Sequence, residues 1–181
     1  MELLAAIRNF ANIQRRSKGT GLMDVRALAN RVLEIADHEG HSVTNMALNK
    51  IVFFVHSDFL IEKDEPLVRA KIEAWQHGPV FREIYHEFKR WSDQPIKGRA
   101  TKIDPETGAK LEARGFDGAD GEYVDSLIRR YVHFGAAYLR ALSHRPGSPW
   151  AAVWDHEGRS NPGMAISDAL IRETYTPKDF Q

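Results

Sequence analysis

The feature that most constrains this sequence is the apolar run from Ile51 to Ile61, which reads IVFFVHSDFLI. Apolar side chains occur on every side of a helix drawn through this run, whereas a surface helix keeps one polar face. We therefore predict a helix buried on all sides at the centre of the core, capped by Ser42 or Thr44. His56 interrupts the run, and we interpret it as a buried histidine whose ring nitrogens are bonded to neighbours.

Size and charge limit the classes of protein that remain. With 181 residues, 43% of them hydrophobic, the chain has room for one domain with one sizeable core. Its 25 basic and 25 acidic side chains cancel, so no global field draws it to nucleic acid or a membrane. It has no cysteine, which excludes disulfides and thiolate chemistry and fits a reducing compartment. We expect a soluble, cytoplasmic protein.

The segment after the apolar run predicts a strand followed by a helix. Apolar residues alternate with polar ones over residues 68–75, which is the pattern of a half-buried strand. Gly78-Pro79 predicts a helix start, since proline suits the first helical position. Residues 96–103 predict a second short strand beside the first. Further helices are predicted over residues 24–40, 122–143, 148–158 and 165–175.

These elements define the fold class as mainly α: a compact helical domain with a minor short-stranded β element around residues 68–75 and 96–103. An amphipathic pattern over residues 2–16 is broken by SKGTG at residues 17–21, so residues 1–22 are interpreted as an amphipathic N-terminal extension and linker. In the extension, Leu3, Ile7 and Phe10 share an apolar face that docks either on the domain itself or on a partner.

A catalytic or cofactor site is not predicted. The sequence has no H-E-x-x-H zinc motif, no G-x-S-x-G elbow and no Walker A loop, so we predict no catalytic residues, no metal and no cofactor. Duplex recognition is disfavoured as well, because the basic residues near Trp91 accompany no recognisable helix-turn-helix. A binding role is therefore favoured over an enzymatic one.

The aromatic residues indicate where a partner binds. Tryptophan and tyrosine with one solvated edge are common anchors of protein interfaces. Around the predicted turn, an interface role and core packing are equally supported for Trp75, His77, Phe81 and Tyr85. For Trp150 and Trp154, core packing is the favoured interpretation.

Three segments resemble the Panacea domain of SocA-type antitoxins. They read LNKIVFF from Leu48, IEAWQHGPVFREIYHEFK from Ile72 and SPWAAVW from Ser148. The resemblance covers roughly residues 25–175, and its most specific part is the pattern EAW-x-x-GPV-x-x-x-I-Y. The N-terminal extension lies outside it, and the resemblance therefore implies that residues 23–181 form the domain.

The resemblance implies a mainly α antitoxin of a bacterial or phage toxin–antitoxin system that neutralises a cognate toxin protein by direct contact. It places partner binding on a surface around the predicted turn, with the apolar face of the extension as a second contact. The surface comprises Trp75, Gln76, His77, Gly78, Pro79, Val80, Phe81 and Tyr85.

Other functions stay open at this stage. The resemblance equally allows a proteolytic adaptor that presents the toxin to a ClpXP-type protease, which would be a further partner, and a homo-oligomer is also allowed. Two less favoured alternatives are a hydrolase that uses His77 with a nearby carboxylate and a DNA-binding autoregulator. A pocket with convergent polar groups would favour the enzyme, and an exposed apolar patch with a polar rim would favour the binder.

Overall fold

The computed structural model describes residues 22–115, 119–154 and 164–177, and helices predominate in them. This confirms the mainly α class. In chain order the elements are α1 (Val25–Glu39), α2 (Asn45–Lys63), β1 (Ile72–Trp75), β2 (Gly78–Phe81), α3 (Arg82–Phe88), a 3-10 turn (Lys89–Trp91), β3 (Thr101–Ile103), β4 (Lys110–Glu112), α4 (Ala119–Tyr131), α5 (Ala136–Ser143), α6 (Pro149–Trp154), β5 (Ala165–Ile166) and α7 (Asp168–Thr174). The predicted N-terminal helix lies outside the described residues.

Helix α2 is the predicted central helix. Every residue from Asn45 to Leu60 is buried except Met46, because α1, α3, α4, α5, α7 and β2 all pack around it. Thr44 caps its N-terminus, where the side-chain hydroxyl accepts a hydrogen bond of 3.3 Å from the Ala47 amide. None of the described helices combines the length and the apolar character that a membrane span requires.

Helix α1 also forms where it was predicted. The Asp24 carboxylate accepts a hydrogen bond from the Arg26 amide at the N-terminus. At the other end Gly40 takes the left-handed conformation, with φ 74°, that ends many helices. The residues just before α1 are bonded to those after α2, because the Met23 amide donates to the Leu67 carbonyl at 3.0 Å.

The prediction that a helix starts at Gly78-Pro79 is wrong. These residues begin β2, which pairs antiparallel with β1 so that Trp75 lies opposite Gly78 and Gln76-His77 forms the turn. Gly78 has φ 104°, which no helix uses, and Pro79 is tolerated because β2 is an edge strand in the order β2-β1-β5. Helix α3 starts only at Arg82.

Three other boundaries need correction. Residues 101–103 pair with β4 in a separate hairpin and not with β1. The helix predicted over residues 122–143 is two helices, α4 and α5, because the chain becomes extended at Gly135, with ψ 158°. The last helix starts at Asp168, since Ile166 pairs with Ile72 in the sheet and Ser167 caps the helix through the Leu170 amide.

Two polar side chains of α2 hold the C-terminal segment against the core. The Asp58 carboxylate, which is fully buried, accepts hydrogen bonds from the hydroxyls of Tyr131 at 2.8 Å and Tyr175 at 2.6 Å. His56 lies 3.2 Å from Asp168 through Nε2, whereas its Nδ1 has no partner among the described residues. The expectation that both ring nitrogens are satisfied is therefore met for Nε2 alone.

We expect Tyr175→Phe to lower the free energy of unfolding by about 1–2 kcal/mol, because it leaves a buried carboxylate with one donor fewer. Urea denaturation measures the change. Tyr85→Phe is the matched control, since the Tyr85 hydroxyl makes no hydrogen bond to the described residues, and it should alter stability by less than about 0.5 kcal/mol. Equal effects of the two variants would contradict the assignment.

Candidate partner-binding groove

A groove of about 560 Å³ runs along the β1–β2 turn and the first turns of α2. We call it the hairpin groove. Its lining includes the turn residues Gln76 and His77, with Met46, Trp75 and Tyr85 beside them and Lys50 at its base. Met46 is 37% exposed although it belongs to the otherwise buried face of α2, so the groove combines apolar side chains with a few polar groups.

The Trp75 indole is held in a fixed orientation at this groove. Its Nε1–H donates to the Glu73 carboxylate at 2.9 Å, and its ring meets that of Tyr85 edge-on at 4.8 Å between centroids. Glu73 is only 2% exposed, and its other oxygen pairs with Lys71 at 3.0 Å. Burial opposes the charge, but the hydrogen bond from Trp75 and the ion pair with Lys71 prevail and hold the pKa of Glu73 below its ordinary value.

The role of Glu73 was not predicted, because the alternation over residues 68–75 places it on the polar face of the strand. The available signal was the spacing E-x-W. In a strand, residues i and i+2 lie on the same face, so a carboxylate two positions before a tryptophan can accept its N–H.

Two consecutive side chains of α2 form hydrogen bonds with the β2 strand of the hairpin. The Asn49 carboxamide oxygen accepts from the Phe81 amide at 2.9 Å, and its NH₂ group donates to Asn45. The Lys50 ammonium donates to the Pro79 carbonyl at 2.9 Å. Both side chains therefore fix β2 against the central helix through backbone groups of the strand.

Lys50 is unusual because it is 1% exposed. Burial disfavours the ammonium form, and the nearby Arg140 disfavours it further, so that the pKa of Lys50 falls to about 7. No carboxylate of the described residues lies within ion-pair distance of this amine. A lysine at the base of a groove with such a pKa is a candidate functional group.

Gly78 lets the hairpin approach Lys50 closely. A Cβ atom at this position would lie 2.5 Å from Lys50 Cε and 2.7 Å from Ser143 Oγ. Both distances are shorter than van der Waals contact, and the positive φ of Gly78 is itself unfavourable for a side chain.

The segment that begins at Ser148 also contacts the β1–β2 hairpin. Trp150 Nε1 donates to the Trp75 carbonyl at 2.8 Å, and the Ser148 hydroxyl accepts from the Ala151 amide at the start of α6. Trp150 is 7% exposed and stacks on Trp154 at 5.3 Å. Both tryptophans lie in or against the core, as predicted.

The structure separates the predicted contact surface into two layers. Gln76 and His77 are exposed, and Trp75 and Tyr85 are half-buried. Gly78, Pro79, Val80 and Phe81 are buried, and Phe81 has no exposed surface. The first four therefore present the surface, while the strand residues support it. The N-terminal candidates Leu3, Ile7 and Phe10 lie outside the described residues.

Several residues considered for the alternative functions can be placed in the described structure. His77 makes no hydrogen bond to a carboxylate there. Among the basic residues near Trp91 in the sequence, Arg99 is paired with Asp37 at 2.5 Å and Arg82 lies 3.9 Å from Glu73. No group of histidine and acidic side chains in the described part of the chain is arranged to hold a metal ion.

Comparisons with known proteins place the chain in a family. Residues 48–151 match the sequence model of a family described as antitoxin SocA-like, Panacea domain. A curated relative, antitoxin SocA of Caulobacter vibrioides (strain NA1000 / CB15N), is 31% identical over 157 residues, which cover 84% of this chain and 82% of the relative. No solved structure matches the chain. The chain belongs to the SocA-like Panacea-domain family of antitoxins.

We expect Gly78→Ala to lower the free energy of unfolding by about 3 kcal/mol, because it adds both backbone strain and an overlap with Lys50. Gly40→Ala is the matched control. Gly40 also has a positive φ, but a Cβ there meets no atom within 4 Å, so the strain alone should cost about 1 kcal/mol. Urea denaturation of both variants gives the difference, and equal losses would contradict the close approach.

Lys50 should make stability depend on pH. Because the folded-state pKa is about 7 and lies below that of the unfolded chain, the unfolded chain binds more protons between about pH 7 and 10, and stability rises with pH across this window. In Lys50→Met this rise should be absent. We expect the two pH profiles of the free energy of unfolding to diverge by roughly 3 kcal/mol across the window. Parallel profiles would show that Lys50 stays protonated.

Proposed function

We propose that this protein is an antitoxin that neutralises a cognate toxin by direct binding through the hairpin groove. Family membership supports the antitoxin role. We infer the contact surface from the Trp75 indole, which is half-exposed yet held in place by Glu73 and Tyr85. A large aromatic side chain that is already ordered loses little entropy when a partner covers it.

The groove has the composition expected of a protein-binding site. Apolar groups of Met46, Trp75 and Tyr85 form its wall, and polar groups of Gln76, His77 and Asp93 lie around them. An apolar centre with a polar rim is typical of interfaces that bind proteins. This composition favours a binder over an enzyme, for which a base paired with an orienting group would be needed.

Neutralisation by occlusion is the mechanism we propose. Presentation of the bound toxin to a ClpXP-type protease would begin with the same contact, so both mechanisms predict the same binding surface. They differ in the fate of the toxin, which persists in a stable complex under occlusion and declines in amount under presentation. Residues 1–22 are proposed as a second contact, and the protein is proposed to act in the cytoplasm.

The test is co-expression with the product of the adjacent open reading frame, which we propose as the toxin. We expect Trp75→Ala to weaken toxin binding by roughly 100-fold, as for a hot-spot tryptophan, and to abolish growth rescue. Surface plasmon resonance measures the first effect and colony counts the second.

Two controls complete the experiment. Leu111→Ala removes an apolar side chain that is 44% exposed on the separate β3–β4 hairpin, and it should leave binding unchanged. His77→Ala should retain growth rescue. Rescue that is lost in His77→Ala, with folding and toxin binding intact, would instead indicate catalysis and contradict the proposal.

A further inference from the structure

The base of the hairpin groove contains a buried lysine, Lys50, that pairs with no carboxylate of the described residues. Lys50 has three donors, and in the described residues its ammonium makes one hydrogen bond, to the Pro79 carbonyl. The amide groups beside it are engaged, because Asn49 binds Asn45 and the Phe81 amide. Lys50 is only 1% exposed but lines the groove, and two of its three donors have no partner among the described residues.

The charges around Lys50 are unbalanced. Arg140 of α5 and His144, which follows α5, lie near it. His77 and Lys89 line the groove, and Asp93 is the acidic residue of the lining. Strand β2 brings no charged side chain, and the Glu73 carboxylate of β1 is bonded to Trp75 and Lys71. A buried cation that lacks a counterion inside the protein is stabilised when a ligand supplies one.

We propose that the hairpin groove recognises an aspartate or glutamate side chain of the toxin, whose carboxylate binds the Lys50 ammonium while neighbouring apolar groups of the toxin pack against Met46, Trp75 and Tyr85. This inference rests on the proposed function and adds the chemistry of the recognised segment. Charge complementarity identifies the occupant as acidic, and the apolar wall identifies it as a polypeptide segment larger than a free carboxylate ion.

Binding of a carboxylate would change the protonation of Lys50. In the free protein the amine is close to half-protonated at neutral pH, since its pKa is about 7. A bound carboxylate favours the ammonium form and raises this pKa. Segment binding above pH 7 should therefore take up a proton, and affinity should fall as pH rises, by at most tenfold per pH unit.

The first experiment uses random heptapeptides displayed on phage and selected on the full-length chain. The peptides are fused through their C-termini, so that they carry no free α-carboxylate. We expect aspartate or glutamate to be enriched over asparagine and glutamine at one position, next to apolar residues. On Lys50→Met the acidic preference should disappear while the apolar preference persists.

Three outcomes would overturn the inference. They are equal acidic enrichment on Lys50→Met, no acidic preference on the natural chain, and binding that appears only when the library presents free C-terminal carboxylates. The last outcome would assign the site to a chain terminus and not to a side chain.

The second experiment does not depend on the folding of a variant. An enriched peptide and its Asp→Asn or Glu→Gln counterpart are titrated into the natural chain by calorimetry at pH 8, in two buffers that differ in ionisation enthalpy. We expect the acidic peptide to bind at least tenfold more tightly and with uptake of up to one proton per peptide. Equal affinities, or no proton uptake, would overturn the inference.

Failure of this inference and failure of the proposed function are distinguishable. If Trp75→Ala abolishes toxin binding but Lys50→Met leaves it unchanged at pH 7, the toxin uses the groove without an acidic anchor, and the carboxylate inference alone is wrong. If Trp75→Ala leaves toxin binding intact, the groove is not the toxin site, and the proposed contact surface is wrong.

Discussion

Polar side chains buried in the central helix determine how the rest of the molecule is arranged. Asn49 and Lys50 bind backbone groups of β2, whereas His56 and Asp58 bind the C-terminal segment. Burying such groups without hydrogen-bond partners is costly. Each of these side chains therefore favours the fold that places its partner beside it along α2. The apolar residues around them make the helix central, and these four make its surroundings specific.

Much of this arrangement was predictable from the sequence. The all-apolar run gave the central helix, and the capping residues Thr44, Asp24 and Gly40 mark real helix ends. The failures occur where tertiary pairing overrides local preference. Gly78-Pro79 is a reasonable helix start in isolation, but strand pairing with β1 and the lysine beneath it favour a hairpin. Similarly, Ile166 is drawn into the sheet by Ile72.

The hairpin groove lies beside the turn where the sequence analysis placed a candidate contact surface, but the contacts that hold this surface were not predicted. The aromatic residues around the turn drew attention to it, yet the surface is presented by Trp75, Tyr85 and the two turn residues while Phe81 is core. Glu73 and Lys50 were not recognised, because a charged residue in a strand or helix is ordinarily solvated. Their burial depends on segments far away in the chain, which no local pattern reveals. The three resembling segments nevertheless converge here, since Asn49, Lys50 and Trp150 all bind the hairpin.

The way β2 is held has a consequence for how any partner can attach. As an edge strand, β2 would ordinarily offer unpaired backbone groups to an incoming strand. Here Pro79 has no N–H, its carbonyl is taken by Lys50, and the Phe81 amide is taken by Asn49. Addition of a further strand along the β2 edge is therefore blocked. A partner that approaches this edge is therefore limited to contacts with side chains, and side chains can change while the backbone scaffold stays the same.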